Sequence, residues 1–244
     1  MSKFLVSATW EDVPHLTPET KAQLLASIPA FQRDARSKGI PQLGSGAIYQ
    51  ISEDDLRIAP FSIPDHWPRA WALDTGWNWN AAVWMALDRE AQTLYLYDCL
   101  KRATVEPAVI IDAIRARGDW IPGVADAADI NKTDGQQTIR LYQRGGLDVQ
   151  LPDKSVEAGI LEVWQLLAAG RLKVFASCGP FFEEYRLYRR DEKGRIVKEN
   201  DHVLDAVRYL VRSGRARMIT KPVKEEHHGG ETFSAPSGQA WMGT

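Results

Sequence analysis

The spacing of apolar positions changes character partway along the chain. Between residues 69 and 99 apolar residues come in short dense runs: Arg69 to Asp74, closed by Thr75-Gly76, then Asn80 to Leu87, then Thr93 to Cys99. Three such runs with short links predict an antiparallel meander. Beyond residue 105 the spacing lengthens: Val105, Val109, Ile110, Ala113 and Ile114 recur at helical intervals and predict a helix to Arg117. Short apolar runs then alternate with helical ones. Strands are predicted at Trp120 to Ala125, Val149 to Leu151 and Leu172 to Phe175. Helices are predicted at Thr133 to Arg144, Lys154 to Ala169, Gly179 to Arg190 and Asp201 to Arg212, with a charged turn at Asp191 to Arg195. A meander followed by strand–helix alternation gives an α/β fold: a central mixed sheet flanked by helices.

Residues 1–60 are punctuated by Pro14, Pro18, Pro29 and Pro41. Thr17-Pro18 starts a helix, with proline at its first position, that runs to about Ser27. A glycine-rich turn at Gly39 to Gly46 precedes a strand-like Ala47 to Ile51. After Lys221 periodicity is lost and Gly, Ser and Pro accumulate, so 221–244 reads as a disordered tail or a docking peptide.

Composition narrows the function classes. With 32 acidic against 30 basic residues the net charge is −2, without the basic excess of a stand-alone nucleic-acid binder. No apolar run approaches the ~20 residues of a bilayer span, and the amino terminus lacks a signal-peptide core, so no membrane is expected and a cytosolic setting is. Cys99 and Cys178 match no metal-ligand spacing and read as reduced structural thiols.

Three acids occupy unusual places. Asp74 closes the first strand and Asp126 closes the strand at Ile121 to Ala125, while Asp201 opens the last helix with Asp205 one turn later. A carboxylate at a strand's carboxyl end points into the crevice where open sheets bind ligands. Carboxylates gathered there repel one another unless a cation neutralises them. Hard divalent ions suit such oxygens, and two of them can hold both the attacking and the leaving oxygen of a phosphodiester displacement. Each acid also has a plainer reading. Asp74 reads equally as a turn residue, Asp126 and Asp129 as turn or capping residues, and Asp201 as an N-cap. Against the last stands the face shared by Asp201, Asp205 and Arg208, opposite a buried face of Val203, Val207 and Leu210. Like charges at i, i+4 call for a counter-charge.

Other residues carry weaker signals. His202 reads as an exposed or capping histidine, with proton shuttle or outer metal contact as the alternative. His227-His228 reads as solvated. Among Trp71, Trp77, Trp79 and Trp84, most are expected in the core, with Trp77 or Trp79 as the alternative for base stacking. Lys132, Arg140, Arg144 and Lys154 read as solvated or as a phosphate track. Ser177 and Cys178 have no histidine–acid partners in sequence, so no covalent protein intermediate is expected.

The order Ala72-Leu-Asp74-Thr-Gly76, Gly123-Val-Ala-Asp126-Ala-Ala128 and Asn200-Asp201-His-Val-Leu-Asp205-Ala-Val-Arg-Tyr209 resembles the three acidic motifs of the nuclease domain of tailed-bacteriophage large terminase subunits. The segment Gly39 to Tyr49 is similar to the family's link between motor and nuclease, and the resemblance runs over roughly 1–215. It implies an RNase H-like fold and a metal-dependent endonuclease cutting concatemeric double-stranded DNA during genome packaging with low sequence specificity. Two Mg2+ or Mn2+ ions would be held by Asp74, Asp126 and Asp201, with Asp205 matching a further acid of less certain role and Asp129 or His202 as other candidates for the metal shell. The implied division is 1–60 as link to an ATPase motor, 61–220 as nuclease and 221–244 as flexible tail. The implied partners are DNA, the portal protein, the small terminase subunit and the motor domain, met in the host cytoplasm at the procapsid portal. No G-x-x-x-x-G-K-[ST] phosphate loop occurs in these 244 residues, so the chain is expected to be a domain of a longer protein or a diverged relative that does not translocate DNA alone. The alternatives are an RNase H-like resolvase or transposase relative, marked by strong DNA affinity of its own, and a portal-docking module that is catalytically silent in isolation.

Overall fold

Proline at the first helical position and a threonine before it start the first helix. α1 (Pro18–Ser27) follows Thr17, whose side chain accepts from the backbone N–H of Thr20 at 3.3 Å. The computed structural model describes residues 9–28, 33–38, 46–76, 78–103, 105–126 and 134–223. α2 (Arg33–Lys38) and α3 (Glu53–Leu56) lead to a two-residue strand, β1 (Arg57–Ile58). The meander is β2 (Arg69–Thr75), β3 (Trp79–Asp88) and β4 (Thr93–Ala103). Then come α4 (Pro107–Arg115), β5 (Gly123–Asp126), α5 (Asp134–Arg144), β6 (Val149–Gln150), α6 (Val156–Ala168), β7 (Leu172–Phe175), α7 (Gly179–Leu187) and α8 (His202–Arg212).

The seven strands form one sheet in the order β1-β7-β4-β3-β2-β5-β6. β2, β3 and β4 pair antiparallel, and the remaining neighbours pair parallel. This is the mixed sheet that the periodicity predicts. Three expectations need correction. The strand expected from Trp120 starts only at Gly123, after Pro122, and runs on through Asp126. Ala47 makes a single bridge to Arg189, and no strand spans 47–51. The helix expected to reach Arg190 stops at Leu187, because Arg189 and Arg190 turn into bridges with Ala47 and Ile196 on either side of the charged turn. The strand β1 was not foreseen; two residues are too few to show a period.

Strand parity sorts side chains between two apolar layers. Trp71, Leu73, Ala82 and Trp84 pack with Ile110, Ile111 and Ile114 of α4 and Ile139 and Tyr142 of α5. Ala72, Ala81, Val83, Met85 and Val124 face the other way, onto α6, α7 and α8. Asp74 follows the parity of Ala72, and Asp126 that of Val124, so both acids fall on the face that α8 covers.

Gly123 sits opposite Trp71 in the parallel register of β2 and β5, and the Trp71 Nε1–H donates to the Ile121 carbonyl at 2.9 Å. A Cβ at Gly123 would lie 2.1 Å from Trp71 Cε2, so the indole lies across β5 only because no side chain stands there. Gly123→Ala is expected to destabilise by about 1–3 kcal/mol or more, as overpacking does. Urea denaturation measures it: the midpoint falls and the slope stays unchanged. An unchanged midpoint would show that the ring has room to move.

Candidate active site

The hydrogen-bond ladder that joins β2 to β5 also sets the site. Asp74 and Asp126 are Cα partners in that parallel register, at adjacent strand ends. Asp201 immediately precedes α8 and Asp205 lies in its first turn. The structure therefore brings the four acids singled out in the sequence to one end of the sheet, under one helix. Asp74, Asp201 and Asp205 are buried, and the Asp126 side chain is 14% exposed.

Each carboxylate already touches a donor or a cation. Asp74 Oδ2 lies 2.9 Å from His202 Nδ1. Asp126 Oδ2 accepts from the Tyr209 hydroxyl at 2.9 Å, and its Oδ1 meets the Lys154 ammonium. Lys198 Nζ lies 3.1 Å from Asp201 Oδ2 and 3.2 Å from Asp205 Oδ2. Arg208 reaches Asp205 Oδ1 at 2.9 Å. Burial pushes the Asp74 carboxyl up from its ordinary value; the His202 contact opposes this, and the charges of Asp205 and Asp126 add to it. The contact with Asp74 raises the His202 imidazole in turn, partly offset by its own burial.

Among the described residues no three Asp, Glu, His or Cys side chains converge as a ready ligand set for a metal. The donor chemistry nevertheless fits a hard divalent ion. Asp126 Oδ1, Asp201 Oδ2 and Asp205 Oδ1 are buried acceptors with no hydrogen bond among the described residues. Each faces an ammonium or guanidinium within ion-pair distance, from Lys154, Lys198 and Arg208 respectively. Carboxylate oxygens gathered at one place are the donor type that magnesium or manganese takes.

Several readings of the sequence are decided here. Asp74 is a buried strand residue, not a turn residue. Asp201 stands at the N-cap of α8, with φ −119° and ψ 4°, yet its side chain makes no cap hydrogen bond. The N–H groups of Val203 and Leu204 donate instead to Glu184 Oε2 of α7, at 2.7 and 3.2 Å. His202 is half-buried against Asp74 and is neither an exposed histidine nor a cap. Asp205 and Arg208 are buried along with Val203, Val207 and Leu210, because α8 lies between the sheet, α6 and α7. Trp71 and Trp84 are core, while Trp79 is 39% exposed with Lys101 Nζ over its ring at 5.1 Å. Lys154, itself exposed, meets Asp126 at the site, and Arg140 and Arg144 are exposed. Both cysteines are free, with Cys178 buried. Asp129, Trp77, Lys132, His227 and His228 lie outside the described residues. No described helix is long and apolar enough to cross a membrane.

Sequence reasoning missed Glu184 and Lys198 altogether. Glu184 left a trace, an acid on the same helical face as Phe181 and next to Tyr185 in a buried stretch. Lys198 left none, since it acts from an irregular segment.

Residues 72–213 match the family model described as terminase RNaseH-like domain. The large terminase subunits of Salmonella phage P22 and Enterobacteria phage LP7 are each 41% identical, over 92% and 85% of this chain. The chain covers 48% and 46% of those proteins, so it spans about half the length of the curated relatives it matches. Among solved structures, the P22 large terminase nuclease domain superposes with a TM-score of 0.68 at 37% identity, covering 73% of this chain and 96% of that one. The large terminase nuclease of thermophilic phage G20c with bound magnesium gives 0.53 at 16% identity, covering 70% and 99%, a likeness of fold alone.

Proposed function

Because the chain belongs to the terminase RNase H-like domain family, we propose that it is a divalent-metal-dependent endonuclease that cleaves double-stranded viral DNA during genome packaging. The observation that carries the reading is the pairing of Asp74 and Asp126 at adjacent strand ends beneath a helix that Asp201 precedes and whose first turn holds Asp205. Those four carboxylates are the groups that would hold magnesium or manganese, with both Asp205 oxygens also held by Arg208 and Lys198, as those of Asp126 are by Tyr209 and Lys154. Two such ions would supply charge neutralisation at the scissile phosphate and a water acidified for in-line attack.

The chain's own side chains do the holding. His202 fixes the Asp74 carboxylate and Tyr209 fixes that of Asp126. Lys154 and Lys198 place positive charge at the rim, where a phosphodiester would approach. Cations and hard oxygens address phosphate and not base edges, so cutting is expected to be weakly sequence-specific. A metal-activated water makes the attack, so no covalent protein intermediate is expected. The partners of this reading are DNA, the portal protein, the small terminase subunit and an ATPase motor domain, with the host cytoplasm as the place of action.

The test is incubation with supercoiled plasmid in Mg2+ or Mn2+, with a chelator control. Nicking followed by linearisation, abolished by chelator, is the expected result. Intact plasmid under every metal would sink the reading of this chain as an autonomous nuclease.

A further inference from the structure

We infer that Glu184 is a positioning residue for the acid cluster, because it caps α8 in place of Asp201 and so releases the Asp201 carboxylate. The inference rests on the nuclease reading for its consequence but on geometry for its substance.

An aspartate at an N-cap ordinarily accepts from the N–H groups of the second or third helical residue. In α8 those are Val203 and Leu204, and both donate to Glu184 Oε2, at 2.7 and 3.2 Å. The donors that would otherwise draw in Asp201 are already taken. The Asp201 carboxylate turns elsewhere and meets Lys198 at 3.1 Å. Glu184 is 1% exposed, and a buried carboxylate without partners is prohibitively costly. Its second oxygen, Oε1, lies 2.7 Å from Lys101 Nζ of β4, and the positive end of α8 faces the first. The ion pair thus ties α7, α8 and the meander together at one point. Through that point it fixes the start of α8, including His202, which contacts Asp74. Asp201, Asp205 and Asp74 depend on one buried carboxylate that touches none of them.

Glu184→Gln keeps an oxygen for the two N–H groups; Glu184→Ala removes it and leaves Asp201 as the only acid at hand to cap. Titration with Mn2+ by calorimetry is expected to show roughly tenfold or greater weakening in Glu184→Ala, the range seen when groups behind metal ligands are removed, and rescue to within about threefold in Glu184→Gln. Thermal unfolding without metal gives an independent reading. Asp201→Ala should change the midpoint of the wild-type chain little, since no cap bond is lost and Lys198 keeps Asp205 as its partner. In the Glu184→Ala background the same substitution should lower it by about 2–4 °C, because Asp201 has become the cap. Wild-type Mn2+ affinity in Glu184→Ala, or equal midpoint changes in both backgrounds, would overturn the inference. Should Glu184→Ala fail to fold, Glu184→Gln decides: near-wild-type affinity supports the inference, and a loss as large as that of Asp201→Ala defeats it. If the wild-type chain binds no Mn2+, the nuclease reading fails while the midpoint comparison still decides the capping.

Discussion

Asp74→Asn is expected to cut metal-dependent DNA cleavage by on the order of 100-fold or more while leaving the fold at least as stable as wild type. The two halves of this expectation have one cause. Asp74 is buried, and burial together with the charges of Asp205 and Asp126 holds its carboxyl above the ordinary value. A carboxyl whose folded-state value lies above its unfolded one loses stability for the fold as pH rises and it ionises. The amide removes that cost, keeps the shape, and still offers an oxygen to His202 at the position of the present 2.9 Å contact. What it cannot supply is the negative charge that a divalent cation needs. Plasmid cleavage and thermal unfolding, measured on the same preparation without metal for the latter, check the two halves together. Cleavage at wild-type rate would remove Asp74 from the site. Lost cleavage with a large fall in midpoint would make Asp74 a structural residue.

Asp74 and Asp126 were legible because a strand advertises its end. An apolar run that stops at an acid leaves only the crevice for that acid to face, and the register of β2 with β5 then sets the two side by side. The meander and the alternating second half were legible for the same reason: their periods differ, and each is long enough to be read. The last helix was legible in part. The acids Asp201 and Asp205 call for a counter-charge in sequence, and in the buried setting of α8 Lys198 and Arg208 meet them. Periodicity assumes that charge seeks water, and it fails where charges find partners inside. The contacts of Lys198, Lys154 and Glu184 were illegible because each bridges segments far apart in the chain or leaves an irregular loop.

Arg208→Ala is expected to be among the most destabilising single changes in the chain, by about 3–5 kcal/mol, the cost of breaking a buried ion pair from one side. Arg208 is 2% exposed, reaches Asp205 Oδ1 at 2.9 Å and donates to the Lys154 carbonyl at 3.3 Å. Its stem runs against Gly159 of α6, where a Cβ would come within 2.4 Å of Arg208 Cγ. The missing side chain at Gly159 is thus the slot through which the guanidinium passes between α6 and α8. Alanine empties the slot and leaves Asp205 buried with Lys198 alone. Arg208→Met fills the slot but removes the charge, so it separates the two contributions. If packing dominates, methionine restores most of the stability lost in alanine; if the charge dominates, methionine is nearly as unstable as alanine. Urea denaturation of both variants distinguishes these outcomes, and wild-type stability in Arg208→Ala would refute the claim that this pair fastens α8. Either destabilised outcome predicts weaker Mn2+ binding as well, because the arginine that anchors Asp205 also holds the backbone of Lys154, whose side chain meets Asp126.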